Sequence, residues 1–219
     1  HIGDYGKKGL DDTFLALSKN NIEYIGAGSS YEEASKVLYK DFGGYKIGFI
    51  NIAENEWSTT IGKSAGANPL NPFRNYSIIQ EAKRNVNYLF LIIHGGHELY
   101  HLPSPGTQDT YRFYIDAGVD AIIAHHPHYF SGYEIYKKAP IFYSLGNFIF
   151  DKGLPRGNRW NTGYAVRFNI SGRGIDFSLI PYFQNDDRVG LSRMNSTEHD
   201  DFNHTILSYN YIINDRIQL

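Results

Sequence analysis

The chain has 219 residues, 42% of them hydrophobic, which is enough to bury a core and near the upper end of what one α/β domain uses. Charged residues make up 20% and the formal net charge is -2, so no long-range field of either sign recruits a polyanion, and nucleic acid is excluded as a partner. Cysteine is absent, which removes disulfides, thiolate metal sites and cysteine nucleophiles, so any metal must be held by His, Asp, Glu or Asn.

After a glycine-containing turn, Leu10, Phe14 and Leu17 recur at helical spacing, with Asp11 and Asp12 near the positive end of the dipole, and predict a helix over residues 10–20. Residues 22–25 read as a short strand, and residues 31–37 as a short helix capped by Ser29 or Ser30. The apolar run at residues 45–52, bounded by glycines, predicts a buried strand. Residues 54–73 mix Gly, Pro, Ser, Thr and Asn without a period, the composition of a long loop that serves as a lid or meets substrate.

A helix over residues 75–87 then leads into residues 88–93, the most apolar strand in the chain, which runs directly into His94. A second helix at residues 105–117 precedes a buried strand at residues 121–124, and that strand also runs into histidines. From Tyr133 the pattern changes to hairpin-like segments at residues 133–136, 141–145, 165–170 and 175–181, so the carboxy-terminal half is expected to be antiparallel. Residues 200–215 are expected to close the chain as a short helix. No run approaches the ~18 apolar residues of a membrane span and no linker marks a second domain, so residues 1–219 are expected to form one soluble domain.

Five of the nine histidines fall between His94 and His128, in His94-Gly-Gly-His97-Glu98 and His125-His126-Pro-His128. Both clusters sit at carboxyl ends of predicted strands, the edge at which open α/β sheets bind ligands. Neutral imidazole suits Mn, Zn or Fe, and the spacing predicts a divalent-metal site. On an extended backbone His126 and His128 face the same side, and His125 faces away to brace a ligand or touch substrate. His94 adds a ligand from the other strand, His97 is a weaker candidate, and Glu98 is placed to ligate, to orient a ligand or to act as a base.

Three longer stretches carry a family likeness: residues 94–108, beginning His-Gly-Gly-His-Glu; residues 115–128, ending Ala-His-His-Pro-His; and residues 141–151, containing Tyr-Ser-Leu-Gly-Asn-Phe. With His-Ile-Gly-Asp-Tyr-Gly-Lys-Lys-Gly-Leu10 at the start, these resemble the CapA family of capsule and poly-γ-glutamate synthesis proteins, over residues 1 to 151. The resemblance implies a calcineurin-like metallophosphoesterase-type fold, a layered α/β/β/α sandwich with mixed sheets, without the family's opening Gly-Asp strand and Asn pair. It implies one or two divalent metals (Mn, Zn or Fe) in a site short of some ligands, with His94, His126 and His128 as ligands. His1 would protonate a leaving group or hold an oxyanion, Asp4 would orient His1, and Asn147 would shape the pocket unless it is simply a turn residue after Gly146.

The function so implied is a metal-dependent hydrolase or transferase of surface-polymer synthesis, acting on an anionic polymer or a phosphoester. The alternative is a non-catalytic accessory module that binds or exports an anionic polymer, with the basic stretch at residues 152–159 as its contact. The resemblance also implies capsule-synthesis membrane proteins as partners, and a site of action outside the cytoplasm through an anchor not present in this chain.

Overall fold

The computed structural model describes residues 1–55, 58–60, 64–150, 159–184 and 190–215. The chain divides into two compact units that interleave in sequence: residues 1–94 with 113–121, and residues 95–112 with 122–219. The architecture is mixed α/β, with parallel and antiparallel strand pairs.

The first unit opens with α1 (Gly6–Lys19), which starts a turn earlier than the apolar spacing predicts. Leu10 is its buried residue and Phe14 stacks on Tyr24 at 4.6 Å, so the expected stripe does face inward. The strand expected at residues 22–25 does not form. Ile22 and Tyr24 are exposed and no neighbouring strand offers a ladder, so the short apolar run gains nothing from extension. The local ladder falls two residues later, in β1 (Ala27–Gly28). The short helix α2 (Tyr31–Ala34) follows, capped by the Ser30 side chain, which accepts from Glu33 N.

Sequence patterning missed β2 (Leu38–Phe42), which pairs antiparallel with β3 (Tyr45–Ala53). The turn between them is Gly43-Gly44, both at positive φ (55° and 86°), the backbone a two-residue hairpin needs and one that glycine adopts without steric cost. β4 (Gly66–Ala67), in the described part of the long loop, pairs with β1. α3 (Pro72–Lys83) begins where Asn71 caps it and Pro72 fits its first turn, ahead of the predicted start. It returns the chain to β5 (Tyr88–His94), parallel to β3 from Ile47↔Tyr88 to Ala53↔His94. Asp120 ties this region down: its carboxylate accepts from Leu89 N at 2.7 Å and Lys83 Nζ at 2.5 Å.

The helix α4 (Pro105–Asp116) contributes its first residues to the second unit and its last to the first. Then β6 (Ala121–His125) runs parallel to β8 (Ala139–Phe142), and β7 (Tyr133–Tyr136) pairs antiparallel with β8 across a Lys137-Lys138 turn. A 3-10 turn at Arg159–Asn161 precedes β9 (Thr162–Ser171), which forms a long hairpin with β10 (Gly174–Gln184), extended by β11 (Leu191–Arg193). The antiparallel character expected of this half is therefore present. The closing helix α5 (Ser196–Asp215) is 20 residues long rather than short.

Phe202, Ile206, Tyr209 and Ile213 line the buried face of α5 at helical spacing. Three of them join Phe130, Phe142 and Tyr164 in one aromatic core. Burying each such side chain contributes about 1.5–3 kcal/mol, which is what holds a helix with few apolar residues elsewhere on its surface. Phe142 also meets Phe168 and Phe177 edge-on, at 5.9 and 5.0 Å, so the β9–β10 hairpin packs its face on β8. No described helix is long and apolar enough to cross a membrane.

Candidate functional site

In the second unit β6 ends at His125, and the next three residues leave the strand. Residues 95–99 lie along them, joined by Gly95 N to His125 O and Leu99 N to Pro127 O, both at 2.9 Å. Gly96 sits at φ 127° against the Pro127 ring; a Cβ there would lie 3.1 Å from Pro127 Cγ, so the close approach of the two segments uses the missing side chain. This strapping places Glu98 beside His128, with Oε1 4.0 Å from Nε2.

The extended-backbone expectation for His126 and His128 does not hold. Their φ angles are 105° and 64°, so a turn and not strand alternation sets their directions, and the ring centroids lie 6.3 Å apart. His125, the last residue of β6, is the one on regular strand backbone. Burial holds its imidazole below the ordinary histidine pKa, so it is neutral at pH 7.

His128 is the best-defined group in this region. Its ring stacks on Trp160 at 4.6 Å and 20°, with Phe150 edge-on at 5.3 Å. Phe150 is itself held by the side-chain amide of Gln184, which donates to its carbonyl and accepts from its N–H. Asn147, buried at 7% exposure, fixes the proton on the imidazole. Its Nδ2 donates to Trp160 O at 3.0 Å, which turns Oδ1 toward His128 Nδ1 at 2.8 Å. An amide oxygen only accepts, so Nδ1 carries the hydrogen, and in the neutral ring the Nε2 lone pair is left facing Glu98. That nitrogen is set to take a proton or to bind a cation. Asn147 thus ties the His128 ring to the Trp160 backbone carbonyl.

His97 and Glu98 are exposed on the strap. In the first unit, His1 and Asp4 pair at 2.8 Å, Nδ1 to Oδ2, both exposed. His94 closes β5, exposed, with its carbonyl accepting from Glu54 N at 2.8 Å. Among the described residues, no three or more His, Cys, Asp or Glu side chains come together in a way that could hold a metal ion. The donors described thus do not form a metal cage.

The histidine count pointed to His128 but not to what surrounds it. Trp160, Phe150 and Gln184 come from three separate stretches; Phe150 falls in the 141–151 motif stretch, and the signal at Trp160 is rarity, as one of two tryptophans. His101 also has a built environment, its ring on Tyr209 at 4.6 Å and its carbonyl accepting from Ser131 Oγ at 2.7 Å. Burial, and secondarily Arg159, lower its pKa. Of the basic stretch 152–159, Arg159 alone lies within the described residues.

Residues 1–152 match the model of a family described as bacterial capsule synthesis protein PGA_cap. The capsule biosynthesis protein CapA of Bacillus anthracis is 32% identical over 162 residues, covering 71% of this chain and 39% of that protein. The PGA biosynthesis protein CapA of Bacillus subtilis (strain 168) is 34% identical over 160 residues, 71% of this chain and 42% of that one. The chain therefore spans about two fifths of the length of either relative. Among solved structures, a phosphatase from Mycoplasma pneumoniae superposes with a TM-score of 0.40 at 15% identity, covering 72% of this chain and 56% of that one.

Proposed function

The chain belongs to the bacterial capsule synthesis protein family PGA_cap, and from that membership we propose that it works in making a capsule polymer, poly-γ-glutamate, and acts chemically on it at His128. The observation that carries the reading is the hydrogen-bond relay Trp160 O, Asn147, His128, which leaves Nε2 as a directed base beside Glu98. The reaction class is hydrolysis of a γ-glutamyl amide, with a phosphoester as the alternative substrate.

In this scheme Nε2 takes a proton from water as its oxygen bonds to the amide carbon. The C–N bond then breaks and the proton passes to the departing nitrogen, so one water is consumed per bond cut. Glu98 lies 4.0 Å from Nε2 and the face of Trp160 covers the ring that holds the proton in between. A positioned base of this kind contributes about 10²–10⁴ in rate. A divalent ion (Mn, Zn or Fe) at the histidines belongs to the proposal only as an addition. The described donors fall short of a cage, and the scheme runs without it.

The test is turnover of poly-γ-glutamate and of a generic phosphodiester, with and without added Mn, Zn or Fe. His128→Ala should lose about a hundredfold or more, and Asn147→Leu about tenfold through loss of the fixed tautomer. Turnover that persists unchanged in His128→Ala sinks the reading. A second reading is a non-catalytic module that holds the polymer for other capsule-synthesis proteins. Polymer binding that survives chelation, with no turnover of either substrate, would select it.

A further inference from the structure

The second unit contains a cavity of about 520 Å³, within the size range of small-ligand sites; none of the predicted catalytic or metal residues lines it, and Arg159 brings to it the end of the basic stretch 152–159. One wall is a face of α5, where Asp201, Phe202, Thr205 and Tyr209 recur at three- and four-residue spacing. Arg159 and Thr162 come from the start of the β9 hairpin. Phe183 and Met194 add apolar surface from the following strand and the segment before α5.

Its charges are what identify a ligand. The Arg159 guanidinium lines the cavity and acts electrostatically on His101 and Tyr209, yet among the described residues it makes no ion pair or hydrogen bond. Asp201 lines the same cavity, and its carboxylate is likewise unengaged among the described residues; only its backbone carbonyl is used, by Thr205 Oγ1 at 2.8 Å. Glu198 differs, since its Oε2 accepts from Asn195 N at 2.8 Å and closes a capping box at the start of α5. One cation and two anions thus line this aromatic cavity; Glu198 is engaged in the capping box, while Arg159 and Asp201, both solvent-exposed, do not close on each other. A ligand that satisfies Arg159 and Asp201 carries a carboxylate and an ammonium on a small frame, with methylene groups for Phe183, Phe202 and Met194.

We propose that this cavity binds the amino-terminal end of a γ-linked glutamyl chain, with its α-carboxylate at Arg159 and its α-ammonium at Asp201. In such a chain the side-chain carboxyl forms the amide, so every residue keeps a free α-carboxylate, but only the amino-terminal one also keeps a free α-ammonium. A site with both signs therefore distinguishes a chain end from a chain interior. Arg159 is followed directly by Trp160, the ring that carries His128, so one short stretch of backbone connects this cavity to the histidine site. The assignment rests on the γ-glutamyl reading of the chain's function.

Calorimetry on the whole chain tests it, with γ-linked tri-glutamate bearing a free or an acetylated amino terminus, and with free glutamate. The free-amine trimer should bind at least tenfold more tightly than the acetylated one, and Asp201→Asn should remove that difference by weakening the free form alone. Arg159→Gln should weaken both trimers at least tenfold. Equal affinity for the two trimers, no response to either substitution, or no binding of any trimer overturns the proposal. Free glutamate binding as tightly as the trimer overturns the chain-end assignment. Because binding is read without turnover, loss of hydrolysis with end-selective binding intact counts only against the chemistry proposed at His128.

Discussion

Replacing Glu134 by leucine tests how the second unit tolerates charge in its interior. The Glu134 carboxylate is 1% exposed and accepts Arg112 Nε at 3.0 Å and NH2 at 2.6 Å, a two-point pair, while Tyr143 donates its hydroxyl to Oε1. Arg112 is itself only 16% exposed, and burial and the Glu134 carboxylate push the Tyr143 pKa far up against the opposing pull of Arg112, so its hydroxyl stays a donor at any working pH. Leucine fills much of the volume but leaves a guanidinium and a phenol without their acceptor. Hydrogen bonds to a charged group are worth about 1.5–3 kcal/mol each, and breaking a buried pair by removing one partner costs about 3–5 kcal/mol. The expected loss is in that second range, read as a lowered urea midpoint at unchanged slope. Adding Arg112→Met to Glu134→Leu should restore part of it, because the orphaned cation is then gone. A loss below about 1 kcal/mol, or a double variant less stable than Glu134→Leu alone, would refute the reasoning.

Two further outcomes follow from single residues. Burial lowers the His125 pKa, so below the ordinary value of 6.5 the unfolded chain binds a proton that the folded one refuses. Stability should fall as pH drops from that value toward the folded pKa, and His125→Asn should flatten the curve of urea midpoint against pH; an unchanged slope would rule out His125 as the source. Gly146 holds φ 77° with the Thr162 carbonyl 2.6 Å from where a Cβ would sit, so Gly146→Ala should cost about 1–3 kcal/mol in urea unfolding. A midpoint within error of the parent would show that the backbone there relaxes freely.

The strands that carry chemistry were readable from sequence because their burial leaves a plain signature. Residues 88–93 and 121–124 are continuous apolar runs that lead into histidine, and β5 and β6 each extend one residue further, to include that histidine. Edge elements were harder. Leu38–Phe42 breaks its apolar pattern with adjacent Lys40 and Asp41 and has no fully buried residue, so it lacked a core signature, although Gly43-Gly44 marked its hairpin turn. Residues 22–25 had the composition of a strand without a partner to pair with, and pairing is what composition does not record. At the candidate site, the argument from strand alternation used a backbone that the segment does not adopt. The stack of Trp160 and Phe150 on His128 is a long-range packing fact with no periodic trace in the chain.

The backbone at His126 and His128 limits how far this segment can be transplanted. A residue before proline is ordinarily driven to negative φ, yet His126 precedes Pro127 at φ 105°, and His128 follows at 64°. Each such non-glycine position costs about 1–3 kcal/mol, supplied by the folded surroundings rather than by the tetrapeptide. Copied onto the end of another strand, the same four residues would relax to extended backbone and point their rings elsewhere, so a designer would have to carry over the strap of residues 95–99 and Asn147 along with them.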